Sequence, residues 1–316
     1  MPDLYTFGET MALFLTHDTD SVVDAREYER STAGAEGNVA VAVKRLGLTS
    51  HFYTHFGDDE LGTAVLNDFL AEGVDVSAVK RVPEFTGTII RNPGTTRGVE
   101  LTYLRKGSAA STITPKEIDV SVLSKSRWVH TTGITCAISS TASDAVGFAL
   151  DTARKLGVAR SFDLNIRRKL WSLKKARSVL EPLAHDLDVL IGGEDEYAAV
   201  FSESDPRKAL ELAYGRGCAI AIMTKGAEPV RFIIHGEYGQ MSPPQVHAVD
   251  PVGSGDAFTG GVIAGILGGL EPLQAIKQGT VSGALVASKF GDWAGLPFGT
   301  NGRTDPAVIS SMSGGK

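Results

Sequence analysis

The segment Asp250-Pro251-Val252-Gly253-Ser254-Gly255-Asp256-Ala257-Phe258 runs into Gly260 to Leu267, a small-residue apolar stretch that predicts a buried helix. Gly253 and Gly255 then fall at a helix N-terminus, where amides with no carbonyl one turn back meet the positive end of the helix dipole. Residues without bulky side chains let a phosphate reach that backbone, so Gly253, Ser254 and Gly255 read as an anion hole. A carboxylate beside such a hole would be repelled by bound phosphate unless the reaction used it, and Asp256 stands where it could accept a proton from an attacking hydroxyl. A plain helix N-cap competes with this reading, because Asp is a favoured cap and glycine-rich turns are common. Other nucleotide motifs fit less well. The chain contains no GxxxxGK[ST], and Phe258 occupies the place a third dinucleotide-binding glycine would need.

The elements that must carry this segment follow from the hydrophobic pattern. Apolar or β-branched runs at Ser50 to Phe56, Trp128 to Thr131, Ala159 to Phe162, Asp188 to Ile191 and Ala219 to Met223 predict buried strands. Helical patterns such as Ala142 to Leu156 and Leu173 to Leu183 lie between them, which is the signature of an α/β layer architecture around a mostly parallel sheet. Two stretches, 12–31 and 85–105, break the alternation. They read as antiparallel strands without intervening helices and predict a small lid sheet inserted in a single domain spanning 1–316. Only the tail from Ser310 to Lys316 reads as loose.

Bulk composition narrows the function classes. A chain of 316 residues can bury a large core, and a formal charge of −6 without any Lys/Arg run gives no attraction to nucleic acid. The two cysteines form no CxxC pair and the seven histidines never fall at metal-ligand spacing, which fits reduced thiols in a cytoplasm. The N-terminal apolar stretch Leu4 to Leu15 is short and carries Glu9, so neither export nor a membrane span is expected.

The segment from Asp250 to Ile263 resembles the second signature of the PfkB carbohydrate kinases at every constrained position. The first signature is matched by Ala33-Gly34-Ala35-Glu36-Gly37-Asn38-Val39-Ala40, then Arg45-Leu46-Gly47 and Phe56-Gly57-Asp58-Asp59-Glu60-Leu61-Gly62. The resemblance implies a ribokinase-like three-layer fold with a small β lid. It implies a sugar site lined by Gly34, Ala35 and Asn38, with Gly253 to Gly255 holding the transferring phosphate of ATP. Elementary chemistry agrees, since glycine permits close approach to a polyol and Asn offers a hydroxyl both donor and acceptor. The resemblance also makes a homodimer or higher homo-oligomer through the lid sheet plausible.

Tyr103-Leu104-Arg105-Lys106-Gly107-Ser108 and Phe162-Asp163-Leu164-Asn165-Ile166-Arg167 resemble the 2-keto-3-deoxygluconate kinase branch. That resemblance implies that Tyr103, Arg105 and Arg167 contact an open-chain sugar acid. A guanidinium pairs bidentately with a carboxylate and more strongly than a neutral group pairs with a sugar hydroxyl. Arg167 is expected on a rigid mounting after a strand, and Arg105 at the edge of a mobile lid. In Gly8-Glu9-Thr10-Met11-Ala12-Leu13, apolar Leu13 stands where related fructokinases and ribokinases usually carry an Asp for ring hydroxyls. The Asp-x-Asn-x-Arg frame recurs in fructokinases, which keeps that substrate open.

The nucleotide half departs from the family pattern twice. Gly193 replaces an Asn, leaving Glu196 as the residue associated with Mg²⁺, acting through water, with Glu194 and Asp195 as assistants or as compensation for a helix dipole. Pro229 replaces a glycine, so phosphate contacts fall on Thr224 and Gly226, while adenine is expected against a helix that includes Gly279, Thr280 and Gly283. Two other classes remain: a non-catalytic sugar-acid binder, against which Asp256 argues, and an NAD-dependent dehydrogenase, which lacks its glycine-rich turn after an early strand.

Overall fold

The apolar runs of the sequence become strands that two separate units bury in different ways. The computed structural model describes residues 1–94 and 98–313. Part of the 85–105 stretch and the end of the tail therefore lie outside the described residues. One unit comprises Met1–Thr6 with Ile113–Pro243, the other Phe7–Thr112 with Pro244–Lys316.

In the first unit the strands Leu4–Phe7, Trp128–Thr132, Ala159–Asp163, Val189–Gly193 and Ile220–Thr224 pair side by side in parallel. Val230–Ile234 and Glu237–Met241 continue the sheet antiparallel. Strands this apolar need cover on both faces, and the helices Ser140–Leu156, Leu173–Leu180, Glu194–Phe201 and Pro206–Gly215 lie between them in the chain. Ser140–Leu156 starts at Ser139, whose hydroxyl accepts from the Ala142 amide, and ends at Gly157 in the left-handed region.

The second unit holds a four-stranded sheet ordered Tyr28–Ala33, Met11–Thr16, Thr88–Arg91, Leu101–Leu104. Both stretches predicted as helix-free strands are in it. Their junction differs from the antiparallel expectation, since Met11–Thr16 pairs with Thr88–Arg91 in parallel. The two hairpin-like pairs come from distant parts of the chain, and the period of two sorts their side chains. Met11, Leu13 and Leu15 cluster with Ala33 and Ile89, while Ala12 turns to a core with Phe52, Phe56, Phe69, Ala257 and Trp293. Against that core pack the helices Ala35–Arg45, Ser254–Leu267 and Pro272–Ala287. Among the described residues no helix is long and apolar enough to cross a membrane.

The first unit buries an imidazole. His130 is fully buried, with Nδ1 2.9 Å from Ser161 Oγ, which also accepts from Trp128 Nε1 at 2.8 Å. Burial pushes the imidazole down to about 3 from its ordinary 6.5. Between those values the unfolded chain takes up a proton that the folded chain refuses, so stability is full above about 6.5 and is lost as pH falls toward 3. His130→Asn should therefore show a flatter dependence of urea midpoint on pH across that window. An unchanged slope would contradict the neutral, buried imidazole.

Candidate active site

Gly253 caps Ser254–Leu267 with φ 83°, a left-handed conformation that glycine adopts without strain. A Cβ there would also lie 2.3 Å from the carbonyl oxygen of Asp292, so no other residue fits. Gly255, within the first turn, has nothing within 4 Å of the position its Cβ would take, and the residue is exposed. The space beside Gly255, at the first turn of a helix capped without a side chain, leaves room for an anion, while the Ser254 amide donates to the Pro251 carbonyl.

Asp256 follows, 7% exposed, with Oδ2 accepting from Asn38 Nδ2 at 2.7 Å. Asn38 belongs to Ala35–Arg45, and its Oδ1 is buried without a donor. Thr10 Oγ1 is in the same condition, so the two supply unspent acceptors to a ligand hydroxyl. Gly34 stands at the head of the same helix, where a Cβ would meet the Glu9 carbonyl at 2.5 Å and Thr10 Oγ1 at 2.7 Å. The glycine is required by this approach of the chain to itself. Ala35 is buried beside it.

Glu9 forms a second polar centre that the sequence reading passed over. It is 1% exposed, accepts from Arg105 Nε at 2.7 Å, is ion-paired with Arg105 Nη2, and takes a hydrogen bond from the Ser108 hydroxyl. Arg105 also lies over the Tyr103 ring, 4.9 Å from its centroid. At 6% exposure Arg105 is thus held by Glu9, and the expectation of a residue at a mobile edge does not describe it. Leu13 is fully buried in the Met11 cluster, so apolar packing explains its side chain without reference to a substrate. The only sequence signal for Glu9 was a lone carboxylate inside an apolar stretch.

A third centre joins three stretches of the second unit. Arg91 donates to both oxygens of Asp250, at 3.0 and 2.8 Å, and to Asp292 Oδ1 at 2.7 Å. Asp250 also accepts from the amides of Val252 and Gly291. Burial pushes Asp292 up, and the neighbouring Arg91 charge opposes that shift.

The first unit holds the other candidates. Arg167 is exposed and follows a fixed stretch: the Leu164 amide donates to the Ile191 carbonyl, Asn165 N to Asp163 Oδ1, and Ile166 N to Glu196 Oε1 at 2.6 Å. Glu196 Oε2 accepts from Gly193 N at 2.7 Å. Burial pushes the Glu196 carboxyl up, against the pull of the Gly193 amide and the Arg167 charge. Both its oxygens already hold amides, so a metal would be reached through water. Burial also raises Glu194, but hydrogen bonds from Lys225 and Arg231 outweigh it and hold the carboxyl below its ordinary range. Glu194 is therefore spent on cations. Among the described residues no three His, Cys, Asp or Glu side chains converge as a metal nest. A single carboxylate already bonded to amides, as Glu196 is, fits Mg²⁺, which keeps several waters and takes much of its coordination from substrate phosphates.

Thr224 ends the strand Ile220–Thr224, and Gly226, at φ 54°, opens the turn after it with nothing within 4 Å of its Cβ position. Gly279 and Gly283 of the second unit lie against the Gly253-capped helix, where Cβ atoms would meet Val262 Cγ2 at 2.7 Å and the Ser254 carbonyl at 2.9 Å. Thr280 is buried and donates to the Lys277 carbonyl. Packing of the two helices accounts for these small residues.

An α/β chain with an open, glycine-capped helix N-terminus and a buried carboxylate in its first turn has the parts of a phosphoryl-transfer enzyme. The comparisons agree: the family model for pfkB family carbohydrate kinases matches residues 1–298, and the chain belongs to that family. It is 33% identical over 299 residues to a 2-dehydro-3-deoxygluconokinase from Bacillus subtilis (strain 168), covering 93% of this chain and 92% of the relative. Among solved structures, the 2-dehydro-3-deoxygluconokinase from Thermotoga maritima aligns with TM-score 0.87 and 25% identity over 99% of this chain and 98% of its own. A proposed ribokinase II from E. coli, in complex with ATP and Mg²⁺, aligns with TM-score 0.88 over 99% of both chains, at 22% identity, a likeness of fold alone. The fold is the ribokinase-like α/β fold with a mostly parallel central sheet.

The Glu9–Arg105 pair has a direct consequence for stability. Removing one partner of a buried ion pair leaves an uncompensated charge at a cost of about 3–5 kcal/mol. Arg105→Met should lose that much in urea unfolding, and Glu9→Gln combined with Arg105→Met should recover much of it. Equal losses in the single and double variants would show that the pair is not coupled.

Proposed function

We propose that the chain transfers the γ-phosphoryl group of ATP to the primary hydroxyl of a 2-keto-3-deoxy sugar acid, 2-keto-3-deoxygluconate above all, giving the 6-phosphate. The observation that carries the reading is Asp256, buried, bonded to Asn38 and set in the first turn of a helix whose N-terminus is open. In this reading Asp256 accepts the hydroxyl proton as the new O–P bond forms and the bond to the ADP oxygen breaks. The amides headed by Gly253, Ser254 and Gly255 take up charge on the transferring phosphoryl group. Mg²⁺, when bound, would neutralise charge on the phosphates, and Glu196 would hold one of its waters. Thr224 and Gly226 would receive phosphate oxygens of ATP. Gly279, Thr280 and Gly283 would support adenine by holding their helix close to Ser254–Leu267.

On the substrate side, Asn38 Oδ1 and Thr10 Oγ1 are the buried acceptors for hydroxyls, and Gly34 and Ala35 shape the backbone beside them. Arg167, exposed on a fixed stretch, would pair with the carboxylate. Arg105 would contribute the Nη1 group that Glu9 does not engage, and Tyr103 would position it. The names borne by the Bacillus subtilis and Thermotoga maritima relatives support the acid over a neutral ketose. The whole chain would act as one kinase domain with the four-stranded sheet as its lid.

Asp256→Asn keeps the shape of the site and loses its proton acceptor, so kcat should fall about 10²–10⁴-fold with the fold intact. Near-normal turnover of the variant would remove Asp256 from its role. Arg167→Ala should lower kcat/KM for the keto acid about 10- to 150-fold, the worth of one charge-assisted hydrogen bond, and spare fructose. If wild type prefers fructose, or if Arg167→Ala loses both substrates alike, the carboxylate reading fails and a fructokinase takes its place.

A further inference from the structure

Arg91 is a fully buried cation to which the proposed transfer reaction gives no contact with ATP or the sugar acid. It ends the strand Thr88–Arg91 and donates to two acids on either side of the Gly253 turn, as well as to the Asn92 carbonyl. Asp250, just before the turn, is bound through both oxygens and in turn holds the amides of Val252 and Gly291. Asp292, behind the turn, presents its carbonyl where a Gly253 Cβ would stand and its Oδ2 3.5 Å from Asn38 Nδ2. Asn38 Nδ2 in turn donates to Asp256. One guanidinium thus ties the irregular segments 250–253 and 291–292, which contain no regular ladder, to a strand. The planar fork suits this task, because it can meet two carboxylates in fixed directions where a lysine ammonium meets them only as a point charge.

We propose that Arg91 is a positioning residue for phosphoryl transfer, holding Asp250 and Asp292 so that the Gly253 turn and the Asn38–Asp256 pair keep their working geometry. The proposal rests on Asp256 as the base. It assigns Arg91 no contact with substrate. Its removal should therefore slow the chemical step while leaving binding in place, since a displacement of about 1 Å in a reacting group costs on the order of 10²-fold.

The test uses the full chain with MgATP and 2-keto-3-deoxygluconate, comparing Arg91→Lys, Arg91→Ala, Asp292→Asn and Asp256→Asn, each scaled to folded protein by circular dichroism and size exclusion. Arg91→Lys and Arg91→Ala should lose about 10- to 100-fold in kcat, with both KM values within about twofold of wild type. Guanidinium ion at millimolar concentration should restore part of kcat to Arg91→Ala and none to Arg91→Lys, whose side chain fills the place. A merely structural brace would instead lower the melting temperature and leave kcat per folded molecule unchanged. That result, or failure of guanidinium to raise kcat in Arg91→Ala, overturns the proposal. If the Arg91 variants do not fold, Asp292→Asn decides: it keeps shape and the Arg91–Asp250 pair, should lose about tenfold in kcat at unchanged KM, and at wild-type kcat refutes the proposal. An active Asp256→Asn would sink the base assignment instead, whatever the Arg91 variants do.

Discussion

A guanidinium with no exposure to solvent must be neutralised where it stands, and around Arg91 that requirement organises the segments that frame the Gly253 turn in the second unit. An isolated buried ion would cost tens of kcal/mol by Born solvation, so the side chain can stay charged only in contact with Asp250 and Asp292. Burial lowers the tendency of Arg91 to hold its proton, but the two carboxylates outweigh it. Two acids around one cation leave an excess of negative charge, and backbone amides at Val252 and Gly291 share it. The loops that frame the Gly253 turn are therefore held by charge geometry where secondary structure cannot hold them. Gly253 itself fits because Asp292 has already claimed the space a side chain would need.

The Glu9–Arg105 pair applies the same logic at the other strand ends of the four-stranded sheet. Glu9 precedes Met11–Thr16 and Arg105 follows Leu101–Leu104, so a buried ion pair joins segments that the sheet ladder leaves behind. Ser108 takes up the remaining Glu9 oxygen. In the first unit an acid has a different role: half-buried Glu196 accepts from backbone amides on both sides, closing the stretch that leads to Arg167.

Elements with a strong local signal were legible in the sequence. Trp128–Thr132, Ala159–Asp163, Val189–Gly193 and Ile220–Thr224 were apparent as apolar runs, within a residue or two of their ends. The Gly253 turn was legible because glycines, a carboxylate and a small-residue helix are contiguous. Ser50 to Phe56 read as one strand and is two, Ser50–Tyr53 and His55–Gly57, because a break at a single residue leaves no mark in an apolar pattern. The Arg91 cluster was not legible. Its partners lie 159 and 201 residues away, and an arginine at the end of an alternating run reads as an outward charge. The parallel join of Met11–Thr16 to Thr88–Arg91 was hidden for the same reason, since local alternation carries no information on which strand lies alongside. Asp59 was visible only as part of a resemblance; the structure gives it a task, capping Glu60–Ala71 through Gly62 N and holding Thr86 through both amide and hydroxyl.

In the proposed reaction the open helix N-terminus and Asp256 serve transfer of a phosphoryl group to the terminal primary alcohol and to no other hydroxyl. Identification of the product tests it most directly. The full chain incubated with MgATP and 2-keto-3-deoxygluconate should yield equal amounts of ADP and a phosphate monoester, with phosphorus NMR coupled to the protons of the terminal CH₂. Release of ADP with inorganic phosphate and no ester, or an ester at another hydroxyl, would contradict it.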